Sequence, residues 1–207
     1  MAPAIAGRSR RTGFVSSGAG VAVAWLALSS PLAAQARLTQ HEALRLAFPP
    51  PAAIERRTAF LTEEQLARAK ALAGPDVEVT SRVVTYYVGL GCDSSGPCGR
   101  SGTPIGVAYF DRHRVRTLNE VLMFGVSPEG RLVRVDILDF QEPPDYRASA
   151  GWLDQLLGRR LDDGLSLKGS VVNLTGATLT SRAITRASRR VLALHEVIAP
   201  FATRGTP

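Results

Sequence analysis

The chain has 207 residues, of which 45% are apolar, 21% charged and 6% aromatic, a composition that fits one globular domain and excludes a disordered tail or a multi-domain assembly. Its formal charge of +7 would suit a nucleic-acid binder only if the basic residues were clustered. Beyond residue 36 there are 22 basic and 18 acidic residues, scattered along the chain, which argues against nucleic acid as a partner.

Arg8, Arg10 and Arg11 precede a charge-free run from Thr12 to Ala36, with Val21–Leu28 as its apolar centre and Ala34-Gln35-Ala36 as its small-residue end. A basic flank, an apolar centre and a small-residue end form a secretory signal, with cleavage expected after Ala36. The same segment is long enough to serve as an uncleaved anchor, although its Gly and Ser residues dilute the apolar centre. The expected location is therefore exported: periplasmic, or membrane-associated on the extracytoplasmic side. In that compartment Cys92 and Cys98, set among turn formers, are expected to close a small disulfide loop that stabilises the fold by about 2 kcal/mol.

Three segments are expected: the signal at 1–36, a helix/strand extension at 37–100 and a second portion at 101–207. Thr39-Gln-His-Glu42 is a capping box that opens a short helix ending before Pro49, and Thr62-Glu-Glu-Gln65 opens another that stops at Gly74. Ile54–Leu61 between them reads as a strand. Val77, Val79, Val83 and Tyr87 share one face of an alternating segment, which predicts a half-buried strand over 77–87. A further strand is expected from Ile105 to Asp111.

Ser127-Pro-Glu-Gly130 has the pattern of a type I turn and joins 118–126 to 131–140 as a hairpin, with Val133, Val135 and Ile137 facing one way. A helix over 152–157, a Gly- and Asp-rich loop and a long amphipathic helix over 180–198 complete the chain. Adjacent antiparallel strands flanked by helices predict an α+β fold: a small antiparallel sheet with a C-terminal helix.

Catalytic signatures are sparse. His41, His113 and His195 are isolated in sequence, and no metalloprotease, nucleophile-elbow or phosphate-loop pattern occurs. His195, on the last helix, is expected to be solvated or capping. Asp162-Asp163 beside Gly164 reads as a turn.

The exception is Asn173-Leu-Thr-Gly-Ala-Thr-Leu-Thr-Ser-Arg182, at the entrance to the last helix. Thr180 or Ser181 can cap that helix, with Gly176 in the preceding turn. Hydroxyls and small residues at a helix N-terminus also suit a phosphate, which backbone N–H groups and the positive dipole end would hold.

Thr175-Gly176-Ala177-Thr178 resembles the motif of the FMN-binding domain family, which includes the covalently flavinylated subunits of the sodium-pumping quinone reductase and the Rnf electron-transport complex. Thr180 and Ser181 are similar to the family's continuation of the motif. Upstream, Gly106–Phe110 and the run from Gly130 to Pro144 resemble the family's strand and the Glu-Thr-Pro-Gly segment near its flavin. The resemblance assigns the FMN-binding domain to 101–207. It implies FMN as cofactor, a flavin transferase that esterifies the FMN phosphate to Thr178, and membrane or extracytoplasmic redox proteins as partners.

The site residues it implies are Thr178, Thr175, Gly176, Ala177, Thr180, Ser181, Glu142 and Pro144. Val172 stands where the family has an acid, Pro143 where it has Thr and Asp145 where it has Gly. Phe140, Tyr146, Trp152 and Tyr109 are candidates for an aromatic wall against the flavin ring. The resulting expectation is an FMN-bearing electron carrier; the alternative is a module that holds FMN or another phosphorylated ligand non-covalently at the same helix end.

Overall fold

The computed structural model describes residues 37–92 and 102–202. The predicted signal segment and Cys98 lie outside the described residues, while Cys92 is disulfide-bonded. The described chain is α+β: five antiparallel strands in sequential order with helices on both faces. The strands are β1 (Ala53–Phe60), β2 (Val83–Leu90), β3 (Pro104–Arg114), β4 (Asn119–Val126) and β5 (Leu132–Phe140). Among the described residues no helix is long and apolar enough to cross a membrane.

Both N-terminal helices begin where the sequence sets a capping box. At α1 (Gln40–Ala47) the Thr39 hydroxyl accepts from Glu42 N–H at 3.2 Å, and the Glu42 carboxylate accepts from Thr39 N–H at 2.8 Å. Thr62 and Gln65 repeat the arrangement at α2 (Glu63–Ala73), and Gly74, with φ of +97°, carries the chain out of it. The Ser127–Gly130 turn is closed by Gly130 N–H donating to the Ser127 carbonyl at 2.9 Å. The helix expected over 152–157 is α3 (Ala150–Asp154), where the Ser149 hydroxyl caps the start by accepting from Trp152 N–H at 3.2 Å.

One sheet face packs under α2 and α4 (Thr178–Ile198), with Tyr86, Val88, Tyr109, Leu122 and Phe124 meeting Ile184, Val191 and Leu192. Arg189 ties the two helices together, its guanidinium donating to the Ala73 carbonyl at 2.7 Å at the end of α2. The other face is covered by α1, whose Ala43, Leu44 and following Phe48 lie with Ala108, Met123 and Leu138. A Cβ added at Gly89 would lie 2.2 Å from the Phe48 ring. Glycine at the paired positions Gly89 and Gly106 is what lets that ring approach the sheet.

Two expectations about strands need correction. The strand predicted over 77–87 begins only at Val83; Val77 and Val79 are buried in an unpaired segment. The Ser81 hydroxyl bonds both N–H and carbonyl of Val83, and across that bend the alternation changes phase. Val83 is left 51% exposed, while Val84, Tyr86 and Val88 face inward. Val133 is 55% exposed rather than inward with Val135 and Ile137. Val126 pairs with Leu132 and Gly125 with Arg134, so Val133 is the extra residue of a bulge.

β2 and β3 pair only from Leu90 and Pro104 to Tyr86 and Tyr109. Beyond that point β2 pairs with β1 alone and β3 with β4 alone, so the sheet opens into a cleft at this end.

Candidate functional site

The helix predicted over 180–198 starts at Thr178, two residues earlier. This changes the role of its hydroxyls. Thr180 and Ser181, expected as caps, are buried inside the first turn; the Thr180 hydroxyl bonds a group outside the helix, and that of Ser181 bonds Asn173 as well as the Thr178 carbonyl at 3.0 Å, so neither hydroxyl accepts from the free N–H groups. Thr180 donates to the Tyr146 carbonyl at 2.7 Å, and Ser181 to Asn173 Oδ1 at 2.5 Å. The N-cap position is Ala177, which has no side chain able to accept a hydrogen bond. The N–H groups of Thr178, Leu179 and Thr180 therefore have neither an intrahelical acceptor nor a side-chain cap.

Thr178 is exposed, and Asn173 Nδ2 donates to its Oγ1 at 3.0 Å. Thr175 and Gly176 are exposed and Ala177 is buried. Ala177 N–H donates to the Leu174 carbonyl at 3.0 Å, closing a turn in which Gly176 has φ of +82°. That backbone conformation favours glycine. The preceding Val172 is held through its backbone: Trp152 Nε1 donates to its carbonyl at 2.8 Å, and its N–H donates to Gln155 Oε1 at 2.7 Å. Its side chain is 73% exposed.

Glu142 and Pro144 approach this corner through the chain between them and Tyr146. The Glu142 Oε1 accepts from the N–H groups of Leu118 at 2.8 Å, Thr117 at 2.7 Å and Arg116 at 3.1 Å, which holds its carboxyl below the usual range. Its carboxylate thus shapes the β3–β4 loop. Pro144 opens a single 3-10 turn, Pro144–Tyr146, whose last carbonyl receives the Thr180 hydroxyl. The Arg116 guanidinium lies 5.2 Å from the Tyr146 ring centroid.

Of the aromatic candidates, Tyr146 borders the start of α4. Phe140 and Trp152 are in the core, and Tyr109 is buried against Tyr86 with its hydroxyl 3.1 Å from His195 Nδ1. His195 is buried rather than solvated, and burial lowers its pKa to about 4.

Residues 119–193, from the first residue of β4 to the middle of α4, match the FMN-binding domain. The chain carries an FMN-binding domain. FMN is the cofactor that this family implies. No curated protein and no solved structure matches the chain. The corner described above lies inside the FMN-binding domain, and its donor set fits a phosphate: an uncapped helix start, small residues around it and an exposed hydroxyl at the first position.

Sequence reasoning missed a charged cluster on the same helix. Arg190 reaches Asp111 with two bonds of 2.7 Å, and His113 bridges Asp111 at 2.8 Å and Glu120 at 3.0 Å. Burial pushes the His113 imidazole down, but its bonds to the two carboxylates outweigh this and raise it to about 9. Burial likewise pushes Asp111 up, and the bonds from His113 and Arg190 overcome it and set the carboxyl at about 2. Glu120, fully buried, is raised by burial. The available signal was the spacing: Asp111 and His113 alternate onto one face of a strand.

Proposed function

We propose that this chain is an exported electron carrier whose FMN is esterified through its phosphate to Thr178. The observation that carries the reading is the exposed Thr178 hydroxyl on the first turn of an uncapped helix within the FMN-binding domain. In the esterification the Thr178 oxygen replaces the leaving group on an activated flavin phosphoryl donor, and its proton departs with that group; a flavin transferase supplies the donor. Asn173 orients Oγ1, and Gly176 and Ala177 leave room for the phosphate. The helix N-terminus and Arg182, one turn on, favour its negative charge.

Bound FMN supplies one- and two-electron chemistry. The chain's own residues hold and orient it: Tyr146, fixed by Thr180 and covered by Arg116, offers an aromatic face beside the attachment point. A tether keeps the cofactor at high local concentration in a compartment where lost FMN is not readily replaced. Membrane or extracytoplasmic redox proteins would be its electron donors and acceptors. Signal cleavage after Ala36 would release the carrier, and retention of the segment would anchor it.

The test is intact mass and in-gel flavin fluorescence of the denatured protein after co-expression with a flavin transferase. One esterified FMN, mapped to the peptide with Thr178 and absent in Thr178→Val, is the expected result. An unmodified wild type that nevertheless co-purifies with flavin released by acid would replace the ester with non-covalent binding. The exposed apolar Val172, where relatives of this motif have an acid, favours that second reading. A colourless wild type would remove both.

A further inference from the structure

The opening between β2 and β3 contains a groove of about 1000 Å³ that runs along α4 from Leu179, the residue after Thr178. Arg182, Arg186 and Arg190 recur every four residues and line one wall. Arg56, Arg112 and Arg114 line the groove from the strands. Arg190 is neutralised by Asp111, which also engages His113. The guanidinium groups of Arg182, Arg186, Arg56, Arg112 and Arg114 have no ion pair or hydrogen bond among the described residues. Asp76 and Glu78 are the remaining acids of the lining, so cations outnumber anions there.

A second feature coincides with this charge. Between Val83 and Thr85 on one side, and Phe110 and Arg114 on the other, two strands of one sheet face each other without pairing. Apart from Val83, whose N–H and carbonyl are taken by the Ser81 hydroxyl, their outward backbone groups form the kind of edge to which an extended segment adds by main-chain hydrogen bonds. A small anion would satisfy part of the charge and none of the edge. A segment that is both acidic and extended satisfies both.

We propose that this groove is the docking site for an acidic, extended segment of a partner protein, which adds as a strand in the opening while its carboxylates meet Arg182 and Arg186. This deepens the reading of the chain as an electron carrier, because the groove begins beside Thr178 and would bring a redox partner to the flavin. It rests on that reading only for the partner's identity. The binding test uses no flavin, so its failure and failure of the ester are separate results.

The probe is a dye-labelled peptide of alternating Glu and Val, titrated by fluorescence anisotropy against the full exported protein. Micromolar binding is expected, weakened at least ~10-fold by raising NaCl from about 0.05 to 0.5 M. The Arg182→Gln/Arg186→Gln variant should lose at least ~10-fold as well, with an unchanged circular dichroism spectrum, since neither guanidinium bonds another described residue. Hydrogen exchange should slow at 84–85 and 110–114 when the peptide is bound. Three results each overturn the proposal: wild type and double variant binding alike, peptide bound without protection of those amides, or citrate displacing the peptide at micromolar concentration. The last would identify a small-anion site instead.

Discussion

The first turn of α4 and its middle turns belong to one helix and are built on opposite principles. In the middle, Arg190 is paired with Asp111 and Ser188 bonds back to the Ile184 carbonyl, and in the last turn the buried His195 is held by Tyr109. The buried polar groups there have partners, and burial makes those partners obligatory. At the first turn, Thr178 is exposed, Ala177 supplies no cap and the hydroxyls of Thr180 and Ser181 donate to carbonyl and amide oxygens, leaving the first N–H groups without a side-chain acceptor. The helix is anchored by its middle, which leaves its start free to present unsatisfied N–H groups. A strong cap at position 177 would stabilise the helix by about 1 kcal/mol and remove the room for an anion.

The comparison breaks most severely at His113. His113→Gln removes the cation between two buried carboxylates, and loss of one partner from such a cluster costs about 3–5 kcal/mol. Urea denaturation should show that loss, while flavin content per folded molecule stays constant. A drop in flavin content with unchanged stability would mean that the cluster serves the first turn and not the middle. Titration sharpens the same point. The His113 pKa is raised from 6.5 to about 9 in the fold, so its stabilisation is complete below pH 6.5 and disappears as pH rises through 9. By the value of a pKa unit this amounts to about 3 kcal/mol between pH 6 and 10. Wild-type stability measured over that range should fall, and His113→Gln should lack the step.

A smaller effect is expected on the opposite sheet face. Gly89→Ala puts a methyl group into the Phe48 ring, and forced repacking of this kind costs about 1–3 kcal/mol. The denaturation midpoint should drop without any change at the start of α4. A wild-type midpoint would show that α1 moves off the sheet at little cost.

These differences follow what a sequence can encode locally. The capping boxes at Thr39 and Thr62, the Ser127–Gly130 turn and the amphipathic stripe of α4 were legible because each depends on residues within a few positions of one another. The Thr-Gly-Ala-Thr segment was legible as a helix entrance for the same reason. The burial of His195 and the pairing of Arg190 with Asp111 were not, because their partners lie 86 and 79 positions away in sequence, and the gap between β2 and β3 was not, because it depends on where two strands stop pairing. Asp111 on β3 meets Arg190 on α4 across a stretch of chain that includes β4 and β5. The bulge at Val133 defeated simple alternation, since one added residue reverses every inward and outward assignment before it.

The finest test of the comparison is Gly176. Its φ is +82° and a Cβ placed there would meet nothing within 4 Å, so Gly176→Ala carries a backbone cost alone, about 1 kcal/mol. Asn tolerates that region better, and Gly176→Asn should cost less. Because the middle of α4 holds the helix, global stability should barely register either change. The turn sets where Thr178 emerges, however, so relaxation of φ to a negative value should move the hydroxyl away from Asn173. Flavin content should therefore fall in the Ala variant more than in the Asn variant, with denaturation midpoints nearly equal. Equal flavin content in all three proteins would show that the transferase tolerates displacement of the hydroxyl, and that the role of the first turn lies in its free N–H groups rather than in the placement of Thr178.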